Sequence, residues 1–410
     1  MNANRLFRYE NKLLVLLSFT FGFVIFDRAA INFLVPFFDK ELGLSNTQIG
    51  LLTALLALAW AISGYLLGTL SDKTGKRKHY LIIAVAIFSI CSFISGLAKS
   101  FAFLLLARII MGFAEGPVLP LAQSIMVDVS TEKRKGFNMG FMQSFGGGLV
   151  MMVAPMLLVS LATNFGWRNA FYIAGLPGLV LATLGFFYIK EKNVVEVKEN
   201  SHKASIADLL KYRNVWVTVL LSCFMMTWMF AQVTFLPKYL ISIKHFSGED
   251  MGKMMGAFGL GGLIWGVVVP TLSDKFGRKV MVIISFLFSA LMPLCLIYSE
   301  NGFAGLSSLL LLGNCLSGCF PIVLATIPSE TMPRQYIAQT IGLVGGIGEL
   351  AGGFAAPAIA GWAADQFGLQ APFFIASAAA LCAGLTASLL QETAPSLLNK
   401  KSNDIKPVVV

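Results

Sequence analysis

The chain has 410 residues, of which 56% are hydrophobic and only 13% are charged. Soluble domains carry about 25% charged residues, so a water-soluble globule of this composition would expose large apolar patches. The composition excludes a disordered chain, a disulfide-stapled secreted domain and most soluble enzymes, and it indicates an integral membrane protein. The net charge of +10 lies mostly in short basic runs between apolar stretches, which is typical of membrane topology rather than of nucleic-acid binding.

Twelve apolar stretches follow one another along the chain. A membrane-spanning helix needs roughly 20 apolar residues, so each stretch predicts one spanning helix. The predicted helices cover residues 12–38, 47–70, 79–99, 101–127, 137–162, 169–189, 215–243, 251–272, 280–298, 303–328, 337–361 and 371–391.

The distribution of Lys and Arg predicts the orientation of these helices. The two tails and the loops on the same side hold 23 of the 31 basic residues, whereas the opposite loops hold four. This asymmetry predicts that both termini lie in the cytoplasm. Short polar outer loops without a glycosylation sequon fit the inner membrane of a bacterium.

The chain contains an internal repeat. The sequence LSDKTGKRK at residues 70–78 returns as LSDKFGRKV at residues 272–280, which places Asp72 and Asp274 202 residues apart. A repeat on this scale indicates two homologous bundles around a central pathway. The fold class predicted is all-α integral membrane, with twelve transmembrane helices in two pseudo-symmetric six-helix bundles. The predicted domains are an N-terminal bundle at 1–189, a cytoplasmic connector at 190–213, a C-terminal bundle at 214–391 and a cytoplasmic tail at 392–410.

Five charged residues lie deep inside the predicted helices: Asp27, Arg28, Arg108, Glu115 and Glu349. Charges at this depth are costly, and they usually face a partner or a hydrated cavity. Counting about 1.5 Å per residue places the first three in the outer half of the bilayer, at similar depth. Glu115 follows Arg108 by seven residues, so the two share a helix face about 10 Å apart.

These residue types favour binding of an acid coupled to proton movement. Arg28 and Arg108 are predicted to hold a carboxylate of the substrate through bidentate hydrogen bonds. Glu115 is the candidate for the coupling proton, and Asp27 is predicted to alternate between pairing and protonation as substrate arrives. A structural ion-pair network that only fixes helix packing is the alternative.

The repeated loop resembles the cytoplasmic-loop signature of the major facilitator superfamily, and the resemblance covers the whole chain. It implies a cytoplasmic gate, with charge that merely sets topology as the alternative. The second copy departs from the signature at its first position, where Pro270 stands in place of glycine. The predicted gate residues are Gly68, Asp72, Gly75, Arg77, Asp274, Gly277 and Arg278.

A finer resemblance concerns two of the predicted helices. The pair Asp27-Arg28 and the sequence Arg108-IIM-Gly112-FA-Glu115-Gly116 are similar to the anion:cation symporter branch of that superfamily. Spinster-type transporters share a similar pattern. The resemblance implies a proton-coupled symporter of a small organic anion that works by alternating access. A spinster-type lysolipid or amphiphile transporter, a proton-coupled metabolite exporter and a sensor on a transporter scaffold remain alternatives.

Three further residues are candidates for contact with the substrate. Trp60 stands where relatives often place a substrate-facing tyrosine, and Gln143 is a polar residue in the fifth helix; helix packing is the alternative for both. Glu349 stands near a position where the organic-anion relatives tend to have asparagine. It is predicted to pair with an amino group of a zwitterionic substrate, to bind a second proton or to contact the opposite bundle.

The sequence contains no nucleotide-binding GxxxxGK[ST] loop, no Ser-His-Asp set and no cysteine pair of the CxxC type. We therefore predict that the protein is not an enzyme, with no catalytic residues, no metal site and no cofactor apart from the proton as coupling ion. The predicted partners are a small organic anion or zwitterion, protons and the lipid bilayer, without nucleic acid. The protein is expected to be a monomer.

Overall fold

The computed structural model describes residues 3–131, 134–143, 147–190, 205–300 and 302–397, with the side chains of residues 3–8, 72, 143 and 334 left undescribed. The side chains of the predicted site residues Asp72 and Gln143 therefore lie outside the described part of the chain. So do most of the predicted connector and the end of the predicted tail.

The described residues form helices joined by short turns. The first half contains α1 (Ala3–Phe38), α2 (Asn46–Thr74), α3 (Arg77–Ser95), α4 (Phe101–Val129), α5 (Lys135–Gln143 and Leu149–Phe165) and α6 (Trp167–Tyr188). The second half contains α7 (Arg213–Ser242), α8 (Gly248–Phe276), α9 (Arg278–Tyr298), α10 (Phe303–Thr331), α11 (Ile337–Phe367) and α12 (Ala371–Ala387).

Helix length and composition confirm the all-α membrane fold. Among the described residues, ten of these helices are long and apolar enough to cross a membrane. The second part of α5 and the whole of α12 are shorter apolar helices of 17 residues each. These two occupy the positions of the fifth and twelfth predicted spans, so each of the twelve apolar stretches contains a helix among its described residues.

Polar residues set the ends of several helices. At the start of α2, the Ser45 hydroxyl accepts a hydrogen bond from the backbone N–H of Gln48, and the Gln48 side chain accepts one from the backbone N–H of Ser45. This capping box satisfies N–H groups that have no partner within the helix. Ser100 accepts a hydrogen bond from the backbone N–H of Phe103 and begins α4 in the same way. Gly75 ends α2 with φ of 68°, a left-handed conformation that favours glycine.

Two helices of the second half are irregular. In α10, residues Asn314–Gly318 form a 3₁₀ turn and residues Ile322–Thr326 form a π turn. In α11, residues Glu349–Ala355 form a second π turn. A π turn inserts an extra residue into a helix and is often found at functional positions.

The described residues divide into two compact units. Unit 1 contains those within Met1–Glu199, Val233–Leu260 and Gly361–Leu369, and unit 2 contains those within Asn200–Gln232, Gly261–Ala360 and Gln370–Val410. In unit 1, α3 packs against α6 and α4, α2 packs against α4, and α1 packs against α5 and α6. In unit 2, α9 packs against α12 and α10. The division into bundles at 1–189 and 214–391 stays a prediction.

Candidate functional site

Asp27 lies in the second half of α1, and only 1% of it is exposed. The hydroxyl of Ser92 on α3 donates a hydrogen bond of 2.8 Å to Oδ1 of Asp27. The other oxygen, Oδ2, is buried without a hydrogen-bond partner among the described residues. One oxygen is thus held by α3, while the other can still accept a proton or a donor group.

Arg108 is fully buried on α4, and its guanidinium binds the main chain of α1. One terminal nitrogen donates to the carbonyl oxygen of Asp27 at 3.2 Å, and the other donates to the carbonyl oxygen of Arg28 at 2.9 Å. The first nitrogen also lies 3.2 Å from the sulfur of Met111. Arg108 therefore contacts Asp27 and Arg28 through their main-chain carbonyl groups, and its planar guanidinium links α4 to α1.

Glu115 is also fully buried on α4. Neither of its carboxylate oxygens has a hydrogen-bond partner among the described residues. The charges of Arg108, Asp27 and Arg28 all act on it. Burying a polar group without a hydrogen bond costs free energy, so this carboxyl group stands out as one with unused bonding capacity.

Arg28 lies beside Trp60, which α2 contributes. The centre of the Arg28 guanidinium is 5.4 Å from the centroid of the indole ring, a distance at which the cation is attracted to the ring face. Both side chains are partly exposed, unlike those of Arg108 and Glu115. The predicted substrate residues Arg28 and Trp60 are thus neighbours, and Arg28 is the more accessible of the two arginines.

The glycines of the α4 motif have a packing role. A methyl group on Gly112 would collide with the carbonyl of Leu56, and one on Gly116 would collide with the carbonyl of Trp60 and the hydroxyl of Ser63. Glycine therefore lets α4 approach the backbone of α2 closely. This approach positions Arg108 and Glu115, on the same helix, relative to Trp60.

Glu349 belongs to unit 2. The predicted site residues described above belong to unit 1: Asp27, Arg28, Trp60, Arg108 and Glu115. Glu349 opens the π turn of α11, and it is 7% exposed. The glycines on either side, Gly348 and Gly352, pack against Ser222 and Met226 of α7. The substrate-binding roles of Glu349 and Gln143 stay predictions.

The second copy of the loop motif forms a charged cluster in unit 2. The Arg278 guanidinium lies 2.6 Å from the carboxylate of Asp274 and 3.0 Å from that of Glu330 on α10. The backbone N–H of Arg278 donates to Glu392 at 2.8 Å, so that Glu392 caps the N-terminus of α9. Gly277 has φ of 102°, which favours glycine at this turn.

The first copy makes a comparable ion pair in unit 1. Arg77, at the start of α3, lies 3.0 Å from Asp128 near the end of α4. Gly75 donates its backbone N–H to the carbonyl of Ser71 at 2.9 Å and closes α2. Gly68 has open space where a side chain would start, so packing does not require glycine there.

Sequence reasoning missed four residues of these clusters: Ser92, Asp128, Glu330 and Glu392. The repeat contained a signal for two of them, because Asp128 and Glu330 are 202 residues apart, the same offset as the two loop motifs. Ser92 is a small polar residue in an apolar helix and carries no comparable signal. Glu392 follows the last predicted span, where nothing in the pattern indicates its partner.

Known proteins resemble this chain over most of its length. A hexuronate transporter of Bacillus subtilis (strain 168) is 28% identical and covers 92% of this chain and 94% of its own length. A phosphoglycerate transporter protein of Salmonella typhimurium (strain LT2) is 24% identical, with 95% and 90% covered. The crystal structure of a bacterial homologue of the human lysosomal transporter Spinster has the same fold, with a TM-score of 0.76, 17% identity, and 93% and 95% covered.

The family model for the Major Facilitator Superfamily matches residues 17–356. This match runs from within α1 to within α11 and includes the buried charges of α1 and α4 and both loop motifs. The chain therefore belongs to the Major Facilitator Superfamily and is a multi-pass membrane transporter, not an enzyme.

Proposed function

We propose that the protein is a proton-coupled symporter of a small organic anion that works by alternating access in a bacterial inner membrane. The observation that carries this proposal is a group of charged residues that α1 and α4 contribute to unit 1: the buried Asp27, Arg108 and Glu115, and the partly exposed Arg28. The relatives named above transport hexuronate and phosphoglycerate, both of which are organic anions. The protein is expected to act as a monomer with both termini in the cytoplasm.

Arg28 is the residue that we expect to receive the anion. It is partly exposed, and a guanidinium can bind a carboxylate with two parallel hydrogen bonds. Arg108 already donates to two carbonyl groups of α1, so it reaches an anion only by releasing one of them. We therefore expect Arg108 to place the backbone of Arg28 and to add positive potential at the site.

Glu115 and Asp27 are the residues that we expect to exchange protons. Glu115 has two oxygens without hydrogen-bond partners among the described residues, and Asp27 has one. When an anion binds beside Arg28, it adds negative charge near the buried carboxyl groups of Asp27 and Glu115, and a proton on one of them compensates for that charge. Proton and substrate would then move together.

Flux measurements in proteoliposomes test the proposal. We expect a hexuronate to accumulate when the pH gradient drives protons in the same direction. Glu115→Gln should abolish this accumulation yet keep counterflow exchange, because the amide has nearly the same shape as the carboxyl group but cannot release or take up a proton. Arg28→Gln should lose both. Glu41→Gln, at a carboxylate on an exposed turn, is the control and should transport like the wild type.

A Glu115→Gln protein that still accumulates substrate with the gradient would remove the coupling role of Glu115. If accumulation by the wild-type protein does not depend on the pH gradient, the proposal of proton coupling is wrong. The same assay, with lysolipid as the cargo or with the gradient reversed, distinguishes the amphiphile carrier and the exporter from the symporter.

A zwitterionic acid is a second candidate substrate, and the buried carboxylate of Glu349 favours it. A carboxylate inside a membrane helix pairs well with an ammonium group of a ligand. In the same assay, we expect Glu349→Gln to reduce transport of amino-substituted acids and to spare hexuronates. Equal effects on both classes would contradict this role.

A further inference from the structure

Three helices that sequence reasoning assigns to the C-terminal bundle contribute to unit 1. They are the end of α7, the first half of α8 and the end of α11, within Val233–Leu260 and Gly361–Leu369. We use the name seam for the contact between these residues and the described part of residues 1–199. In the described part of the chain, the seam contains two polar links and a stretch of tight helix packing.

The first link joins α11 to the start of α2. One oxygen of Asp365 accepts the backbone N–H of Asn46 at 2.9 Å, and the other accepts the backbone N–H of Thr47 at 2.8 Å and its hydroxyl at 2.6 Å. The first backbone N–H groups of a helix have no partner within the helix, and a negative charge is favourable there. A residue more than 300 positions away in sequence thus completes the cap of α2.

The second link is an ion pair between Lys238 on α7 and Asp39 at the end of α1, at 2.9 Å. The two side chains are only 12% and 10% exposed. Loss of hydration offsets most of the attraction in a buried pair, so separating both charges into water costs little. Removing one partner alone is costly, because the other charge stays buried and unpaired.

Elsewhere along the seam, α8 lies directly against the backbone of α5. A methyl group on Gly252 would press on Val159 and the carbonyl of Pro155, and one on Gly259 would collide with the carbonyl of Met151. No side chain fits between the helices at these positions. At these two positions, α5 and α8 are therefore in direct contact.

We propose that the Asp365–α2 cap and the Lys238–Asp39 pair form a latch that holds the seam shut and that both links break when this face of the transporter opens. This inference rests on the proposed function, because alternating access requires one closed face to open in each cycle. The count of basic residues predicts that this is the outer face. Both links can exchange protein partners for water, which suits a contact that must open repeatedly.

A buried cysteine at the seam tests the latch. Val159 is 1% exposed and contacts Gly252, so Val159→Cys should react slowly with a hydrophilic maleimide while the seam is closed and faster when it opens. The measurement uses the full chain in nanodiscs, with the six native cysteines replaced, so that both faces are accessible. We expect Asp365→Ala or Lys238→Met to raise the labelling rate about tenfold, which corresponds to about 1.4 kcal/mol.

Graded and matched variants separate the latch from general damage. Thr47→Val removes only the hydroxyl bond to Asp365, so its effect should be smaller. Exchanging the pair, with Asp39→Lys and Lys238→Asp together, should return the labelling rate toward that of the wild type.

Glu41→Ala is the control on the same face. Trp167 and Arg168 each lie 2.7 Å from the Glu41 carboxylate, and their bonds hold the pKa of that carboxyl below its usual range. All three residues belong to the first half of the chain, so these bonds do not cross the seam. Glu41→Ala should therefore leave the labelling rate unchanged.

Labelling of Asp365→Ala and Lys238→Met at the wild-type rate would overturn the latch. Should either variant fail to give a monodisperse protein, Asp365→Asn and Thr47→Val supply the same comparison. Labelling requires no substrate, so it can fail or succeed independently of the flux assay. Faster labelling without transport of any tested acid would keep the latch and reject the proposed substrate class.

Discussion

Two of the buried charged residues of unit 1, Arg108 and Asp27, form hydrogen bonds with uncharged groups of neighbouring helices. Arg108 donates hydrogen bonds to the carbonyl groups of Asp27 and Arg28 on α1. Asp27 in turn is held by the hydroxyl of Ser92. Arginine suits such a position, because its planar group donates in two directions at once.

Replacing Arg108 by lysine should reveal whether it positions α1 or binds substrate directly. Arg108→Lys keeps the charge but loses the fork, so we expect a loss of about 1–3 kcal/mol in stability, since buried hydrogen bonds are broken. Substrate affinity should fall less than in Arg28→Lys. Thermal unfolding in detergent and binding titrations of both variants measure this.

Normal thermal stability of Arg108→Lys together with a complete loss of affinity would contradict the positioning role. It would instead place the Arg108 guanidinium directly on the substrate.

At the scale of helices, close approach decides where the charged residues lie. Gly112 and Gly116 bring α4 against α2, and the same helix carries Arg108 and Glu115. The geometry of the site therefore depends on residues that have no side-chain chemistry of their own.

Adding one methyl group at Gly116 should separate these helices. Because the methyl group would meet the carbonyl of Trp60 and the hydroxyl of Ser63, Gly116→Ala is expected to cost about 1–3 kcal/mol. Gly140→Ala is the matched control, since open space surrounds that position in α5. Thermal unfolding of both proteins should show a loss only for Gly116→Ala, and equal melting temperatures would contradict the packing role.

At the scale of the whole chain, the segment after α12 ties together distant parts of unit 2. Glu392 caps α9, the Thr393 hydroxyl donates to Glu330 at 2.6 Å, and the backbone of Gln391 exchanges two hydrogen bonds with the side chain of Asn214 at the start of α7. This segment follows the last apolar stretch, yet it belongs to the folded unit.

Glu392→Ala removes the cap of α9 and should lower stability by about 0.5–2 kcal/mol, the usual range for a lost helix cap. Glu392→Gln keeps one acceptor oxygen and should lie between the wild type and Glu392→Ala. Melting temperatures of the three proteins, measured in the same detergent, give the order of their stabilities. An unchanged melting temperature for Glu392→Ala would show that the cap contributes nothing.

The fold could be predicted from the sequence because a long apolar stretch indicates a spanning helix, and each of the twelve stretches contains a helix in the part of the chain that the structure describes. The sequence also located the buried charges of α1 and α4, since such residues stand out against an apolar background. It could not supply their partners. The carbonyl groups that bind Arg108 exist at every residue, and the links from Asp39 to Lys238 and from Thr47 to Asp365 join positions that no spacing rule connects.

The π turn that begins at Glu349 also sets the rotational phase of α11. Each residue advances an α-helix by about 100°, so the extra residue of a π turn rotates everything that follows by that angle. Asp365 lies beyond this turn, and its carboxylate reaches the backbone of Thr47 on α2 only with the present rotation of α11. Shortening the turn by one residue would leave the composition of α11 almost unaltered, yet it would swing Asp365 toward another neighbour.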